Sequence, residues 1–213
     1  MSKLPRIIVL AGVNGAGKSS IGGSQLKAHN TTWYNPDDYT RALNCTGEYS
    51  QGEANSLAWT HGRDLLEAAI ANRSYFAIET TLGGDTIASM LRHAADTHQV
   101  HIWYCGLSSP ELHIERVKAR VKAGGHDIPE AKIRERWNSS RLNLIKLIPY
   151  LASLTVYDNS ETAAIGTEIP EPVLLLKYEA NRLIVPDPND EVSFANIPEW
   201  ARPILQAVLE QIG

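Results

Sequence analysis

The sequence predicts an α/β fold in which a parallel sheet is assembled from βαβ units. Two observations carry that reading. Apolar runs of strand length recur at Ile7–Ala11, Tyr75–Ile78, Val100–Leu107 and Leu154–Tyr157. The stretches between the first three have the length and periodicity of helices, and continuous apolar runs suit strands buried on both faces.

The first strand leads directly into Gly12, four residues, Gly17, Lys18 and Ser19, the GxxxxGK(S/T) spacing of a phosphate-binding loop. Such a loop turns backbone N–H groups inward onto phosphate oxygens, which favours glycine at Gly12, Gly15 and Gly17. The candidate nucleotide-binding residues are therefore Gly12, Val13, Asn14, Gly15, Ala16, Gly17, Lys18, Ser19 and Ser20. Lys18 would reach the β/γ-phosphates as a point charge, and the Ser19 hydroxyl would hold Mg²⁺. A helix over 17–29 would place its N-terminal dipole beneath the phosphates.

The remaining elements follow in order. A short strand at Thr32–Tyr34 leads to Asn35-Pro36-Asp37-Asp38, where a helix opens. Residues 45–52 read as a loop and 53–72 as a long helix with Leu57, Leu65, Leu66, Ala69 and Ile70 on its apolar side. After the strand ending in Glu79-Thr80-Thr81 comes a Gly83-Gly84 turn and a helix at about 85–97. Ser109-Pro110 starts a helix that Gly124-Gly125 breaks, and Pro129-Glu130 starts the next, running to about Leu147. Beyond the fourth strand, 161–171 reads as a loop. Val173–Tyr178 and Leu183–Val185 read as a β-hairpin, and Pro198–Gln211 as a last helix. The chain reads as one domain over 1–213, with a helical lid at about 109–147 and a C-terminal hairpin plus helix at about 172–213.

Composition narrows the function classes. A net charge of −4 supplies no global field for nucleic acid, so a nucleic-acid partner is disfavoured. Two cysteines far apart, Cys45 and Cys105, fit neither a disulfide scaffold nor a metal site and suit a reducing cytoplasm. No stretch has the length of a membrane span and the start lacks an apolar leader pattern, so the expectation is a soluble cytoplasmic protein without a membrane partner.

Three constellations could carry chemistry. Asp37 follows the second strand, where open parallel sheets bind ligands, and its carboxylate could take a proton from an attacking hydroxyl. Asp37 or Asp38 could equally cap the helix that follows. Glu79 ends a buried strand, placed to hold Mg²⁺ through water, and Thr80 and Thr81 beside it could hydrogen-bond a polar substrate. Arg116 and Arg120 stand one helical turn apart and could converge on one anion. They belong to a basic run with Lys118, Lys122, Lys132, Arg134 and Arg136 around the Gly124-Gly125 break, which reads as a lid over the nucleotide or as a solvated basic face. His126 could contact phosphate or cap the next helix.

Taken together, the motifs Ala11-Gly12-Val13-Asn14-Gly15-Ala16-Gly17-Lys18-Ser19, Asn35-Pro36-Asp37, Ile78-Glu79-Thr80-Thr81-Leu82, Arg116 through Gly124-Gly125-His126-Asp127-Ile128-Pro129, and Tyr157-Asp158-Asn159-Ser160 resemble the zeta-toxin-like branch of P-loop kinases. The resemblance implies a doubly wound, mostly parallel sheet with helices on both faces, and ATP and Mg²⁺ as cofactors. It implies Asp37 as the catalytic base, Lys18 as the phosphate-loop lysine and Arg116 as a γ-phosphate ligand. It also implies UDP-N-acetylglucosamine as acceptor and a small antitoxin as protein partner. Where such toxins carry a second lid arginine, this chain has Gly125-His126-Asp127, which leaves Arg120 or His126 to substitute.

Overall fold

The computed structural model describes residues 4–19, 21–22, 33–162 and 170–213. A six-stranded sheet has the order β2-β1-β3-β4-β5-β6. Its strands are β1 (Arg6–Ala11), β2 (Phe76–Thr80), β3 (Gln99–Gly106), β4 (Ser153–Asp158), β5 (Val173–Glu179) and β6 (Arg182–Val185). The first four run parallel, while β5 and β6 add an antiparallel hairpin at one edge. The expected hairpin is present. Ala180 and Asn181 at its tip have φ of 50° and 60°, the positive values of a turn matched to the twist of its strands.

Alternation along the strands divides the core. Ile7, Val9 and Ala11 of β1, with Val100, Ile102 and Tyr104 of β3 and Leu154 and Val156 of β4, face one side. They pack there against α2 (Gln51–Ala71), α3 (Asp85–Ala94), α5 (Glu130–Leu147) and α7 (Arg202–Ile212). Leu10 and Cys105 face the other side and meet Ala16 and Ile21 after the loop. Helices therefore cover both faces, the α/β arrangement the sequence predicts. Full burial of one such Leu or Ile contributes ~1.5–3 kcal/mol.

Differences from the expected elements have local causes. In α2 the buried stripe is Ala54, Ala58, Gly62, Leu66 and Ala69, and Leu57 is exposed. Small residues are needed there because Tyr34 lies on the helix: a Cβ at Gly62 would come within 2.5 Å of its ring. Tyr34 also donates its hydroxyl to the Ala58 carbonyl at 2.6 Å. The helix begins two residues earlier than expected because Ser50 and Glu53 form a capping box.

The strand expected at Thr32–Tyr34 is reduced, among the described residues, to one parallel bridge between Tyr34 and Ile78, with Thr32 outside them. Tyr75 precedes β2 and is exposed. The helix expected at 85–97 ends at Ala94, and the last helix starts at Arg202 rather than Pro198, with Pro203 in its first turn. A five-residue helix, α6 (Glu191–Ala195), had no expectation. After the phosphate loop, Lys18, Ser19, Ile21 and Gly22 are helical. Ser20 and the 23–29 part of the expected helix, like 163–169 of the expected loop, lie outside the described residues.

Two helices remain. Pro36–Asn44 forms α1, and α4 (Pro110–Lys122) packs with Val13 through Ile114 and Val117, next to Ile128 and Ile133.

At the end of β3, a Cβ on Gly106 would overlap the ring of Trp200, which is buried. Overpacking of this kind costs ~1–3 kcal/mol. Gly106→Ala is expected to lower the melting temperature by several degrees. Adding Trp200→Leu should restore less than its own cost predicts to be lost, so the pair should be non-additive in a thermal double-mutant cycle.

Candidate active site

The parallel strands end together, and β1 delivers the loop between β2 and β3. Gly12 has φ +143°, and a Cβ on it would overlap the Cys105 carbonyl, so this strand end accepts only glycine. The Gly12 N–H donates to the Thr80 carbonyl at 3.2 Å, which ties the loop to the end of β2.

Lys18 and Glu79 are buried facing one another, with Nζ 3.6 Å from Glu79 Oε1 and 3.5 Å from the Val13 carbonyl. The Ser19 hydroxyl donates to the second Glu79 oxygen at 3.3 Å. The predicted cation, hydroxyl and carboxylate thus form one cluster. A hydroxyl and a carboxylate beside a phosphate loop are hard oxygen donors of the kind Mg²⁺ takes.

The structure separates Asp37 from Asp38. Asn35 caps α1, its Oδ1 accepting the Asp37 N–H at 2.9 Å, so neither aspartate makes the cap. Asp38 turns outward and pairs with Arg41 at 3.1 Å. Asp37 lines the cavity, with Arg120 Nη1 and His126 Nε2 each 3.9 Å from its carboxylate. Arg120 also donates to the His126 carbonyl at 3.2 Å, so Asp37 faces two groups carried by α4 and the turn after it.

The cavity encloses about 450 Å³, within the range of small-molecule sites. Asn14, Lys18, Asp37, Glu79, Thr80 and Thr81 line it, as do Trp59, His126, Lys132 and Arg136. Arg116 does not. Its guanidinium donates to the Glu161 carbonyl at 2.9 Å, just beyond β4. Nor is the basic run a free positive face: Lys118 pairs with Glu130 at 2.7 Å, Arg134 with Glu111 at 2.6 Å and Lys132 with Glu135 at 2.9 Å. Ser20 lies outside the described residues.

Two groups near the loop stand outside the predicted set. His113 of α4 is buried and its Nδ1 lies 2.8 Å from the Asn14 carbonyl. Arg136 of α5 donates to the Asn14 side-chain oxygen at 2.8 Å. Asn35 had a readable signal, an Asn-Pro pair at a helix start. Arg136 had none that distinguished it from its basic neighbours. Among the described residues, no group of three or more His, Cys, Asp or Glu side chains could hold a metal ion, and no helix is long and apolar enough to cross a membrane.

Comparison with known proteins agrees with this architecture. A family model described as an AAA domain matches residues 7–140. An uncharacterized protein of Haemophilus influenzae is 29% identical over 141 residues, covering 62% of this chain and 92% of its own. The AvrRxo1-ORF1 and AvrRxo1-ORF2 complex with sulphate ions superposes with a TM-score of 0.64 at 17% identity, over 92% of this chain; the chain spans 64% of that one. The PezAT chromosomal toxin-antitoxin system of Streptococcus pneumoniae gives 0.55 at 19% identity, covering 74% of this chain and 68% of that one. At such identities the likeness is one of fold.

His113 makes a pH prediction. Burial, the largest cause, and the nearby cations Lys18, Arg116 and Arg141 push its pKa down from 6.5 to about 4, against the Asn14 hydrogen bond. The unfolded chain therefore binds the proton more readily, and the neutral imidazole contributes stability that is complete above pH 6.5 and lost as pH falls towards 4. The contribution is on the order of 3 kcal/mol. Melting temperature followed over this interval should fall for the wild type and fall less for His113→Gln; equal slopes would contradict the assignment.

Proposed function

The chain belongs to the AAA domain family, and from that premise we propose that it is an ATP- and Mg²⁺-dependent kinase that phosphorylates a hydroxyl of a small polar acceptor. UDP-N-acetylglucosamine is the first acceptor to test, on the resemblance of the motifs to the zeta-toxin-like kinases. The observation that carries the reading is Asp37 lining the same cavity as Lys18 and Glu79. A nucleotide binder without an acceptor has no use for a carboxylate there.

In the transfer, the acceptor oxygen forms a bond to the γ-phosphorus as the bond from that phosphorus to the β,γ-bridging oxygen breaks. Asp37 takes the acceptor proton, and ADP leaves. Lys18 holds the phosphate charge at the loop, and the N–H groups of Gly12 to Ser19 are the candidates for cradling the β-phosphate. Thr80 and Thr81, both on the cavity wall, are the candidates for orienting the acceptor. Arg120 and His126, each 3.9 Å from its carboxylate, hold Asp37 facing the cavity. Ser19 and Glu79 would hold Mg²⁺, Glu79 through water; the ion, when bound, neutralises charge on the β- and γ-oxygens.

Two structural relatives, a two-protein complex and a toxin-antitoxin system, support a small protein partner that restrains such a kinase. Ion pairing across the basic run argues against a nucleic-acid acceptor, which needs free cations along a groove.

Mass spectrometry of UDP-N-acetylglucosamine after incubation with the protein, ATP and Mg²⁺ should show a gain of one phosphate. Asp37→Asn should lower that turnover ~10²–10⁴-fold with ATP affinity nearly unchanged. Lys18→Ala should weaken both binding and rate. No phosphate gain on this sugar nucleotide would discard the acceptor, and full turnover by Asp37→Asn would remove the base.

A further inference from the structure

A phosphoryl group in transfer carries charge on three oxygens, and kinases supply a guanidinium to meet it. The sequence offers Arg116 and Arg120 for that task, yet neither lines the cavity. Arg116 is bonded to the Glu161 carbonyl, and Arg120 to the His126 carbonyl and the Asp37 carboxylate. The arginine that lines the cavity is Arg136. We propose, resting on the kinase reading above, that Arg136 is the catalytic guanidinium on the transferring phosphoryl group, and that it is supplied by the fixed body of the fold rather than by a closing lid.

Three observations place it. Arg136 lines the cavity, is half-buried, and donates to the side chain of Asn14, a residue of the phosphate loop itself. That partner is a neutral amide. Among the described residues no carboxylate lies within 4.0 Å of Arg136, and Glu135 and Asp37 act on it only from beyond that distance, although a guanidinium has five N–H donors. A cation taken out of water without an anionic partner is costly, and a bound anion removes the cost. Arg136 shares that cavity with Asn14 and Lys18 of the loop that would hold ATP and with Asp37.

Rigidity is the second half of the proposal. The middle of α5 is fastened to the loop after β2 by three polar side chains. Ser139 donates to the Gly83 carbonyl at 2.8 Å, Ser140 to that of Thr81 at 2.6 Å and Asn143 to that of Leu82 at 3.1 Å. Ser140 and Asn143 are buried. Gly83 leaves room for the Arg136 stem: a Cβ there would stand 2.8 Å from Arg136 Cγ. The stem of Arg136 thus runs past Gly83 of the sheet-end loop, and its guanidinium is held by Asn14. Such a donor costs no reorganisation at the moment of reaction. The Arg120–His126 pair, by contrast, rides on the segment containing Gly124, whose φ is +91°.

During transfer no bond to Arg136 forms or breaks. Its N–H groups donate to the phosphoryl oxygens as the bond to ADP opens and the bond to the acceptor closes. The test needs no acceptor: ADP with Mg²⁺ is titrated calorimetrically into the full chain with and without aluminium fluoride, which with ADP mimics the phosphoryl in flight. The wild type should bind the fluoride complex much more tightly than ADP. Arg136→Ala should abolish about 10³-fold of that preference and change ADP affinity less than about threefold. Arg136→Lys should recover little of it, because an ammonium cannot fork across two oxygens.

A preference equal to wild type in the alanine variant would overturn the proposal, as would an equal loss for ADP and for the fluoride complex. If Arg136→Ala does not fold, Arg136→Gln, which keeps a donor for Asn14, is held to the same criterion. A wild type that binds ADP without any preference would overturn the proposal alone. A wild type that fails to bind ADP would instead refute the kinase reading beneath it.

Discussion

The site depends on holding a loop whose N–H groups must point inward and whose carbonyls must therefore be satisfied from outside. The surrounding fold supplies that support carbonyl by carbonyl. The Ala16 carbonyl accepts from the Cys105 thiol and from Asn159 Nδ2, each at 2.9 Å. Those groups stand at the ends of β3 and β4. The Asn14 carbonyl meets His113 from α4, and the Val13 carbonyl faces Lys18. Burial pushes the Cys105 thiol up to about 12, so it remains a neutral donor and not a reactive thiolate. The parallel register is what makes this possible, because it brings the ends of β1, β2, β3 and β4 to one edge.

The same edge explains the polar residues inside α5. Beyond β2 the chain turns through Leu82, whose φ is +54°, and the carbonyls of Thr81, Leu82 and Gly83 have no sheet partner. Ser139, Ser140 and Asn143 satisfy them. Buried polar groups left unpaired cost ~1–3 kcal/mol each, so the helix is held in one register by hydrogen bonds as well as by Leu144 and Leu147. A helix fixed in that way can carry a charged side chain to a defined point.

The phosphate loop, the four parallel strands, the hairpin and the ends of most helices were legible because each rests on local chemistry: glycine spacing, apolar runs, Asn-Pro and Ser-Pro starts. Lys18, Ser19 and Glu79 meeting in one cluster was legible for the same reason, since parallel strand ends converge. The orientation of arginines was not. Arg116, Arg120, Arg134 and Arg136 share a basic run and comparable spacing, and only tertiary contacts divide them into one bonded to a backbone carbonyl beyond β4, one facing Asp37, one paired with Glu111 and one on Asn14. Leu57 misled for a related reason. Side-chain size favoured it for the core, whereas the ring of Tyr34 demands a stripe of small residues on α2.

The division among the arginines has a mechanistic logic. On the proposed roles, the base must stay free for the acceptor, and Arg120 at 3.9 Å orients the Asp37 carboxylate without consuming it in a tight pair. The transferring phosphoryl, by contrast, needs a donor that is not already neutralised. One arginine cannot serve both, because a guanidinium closed onto Asp37 would leave the phosphoryl charge unmet. Placing Arg120 and His126 on the segment after α4, and Arg136 on a helix fastened to the sheet edge, separates the tasks physically. On the proposed roles, the groups beside Asp37 belong to the segment after α4, whereas Arg136 is held to the phosphate loop through Asn14.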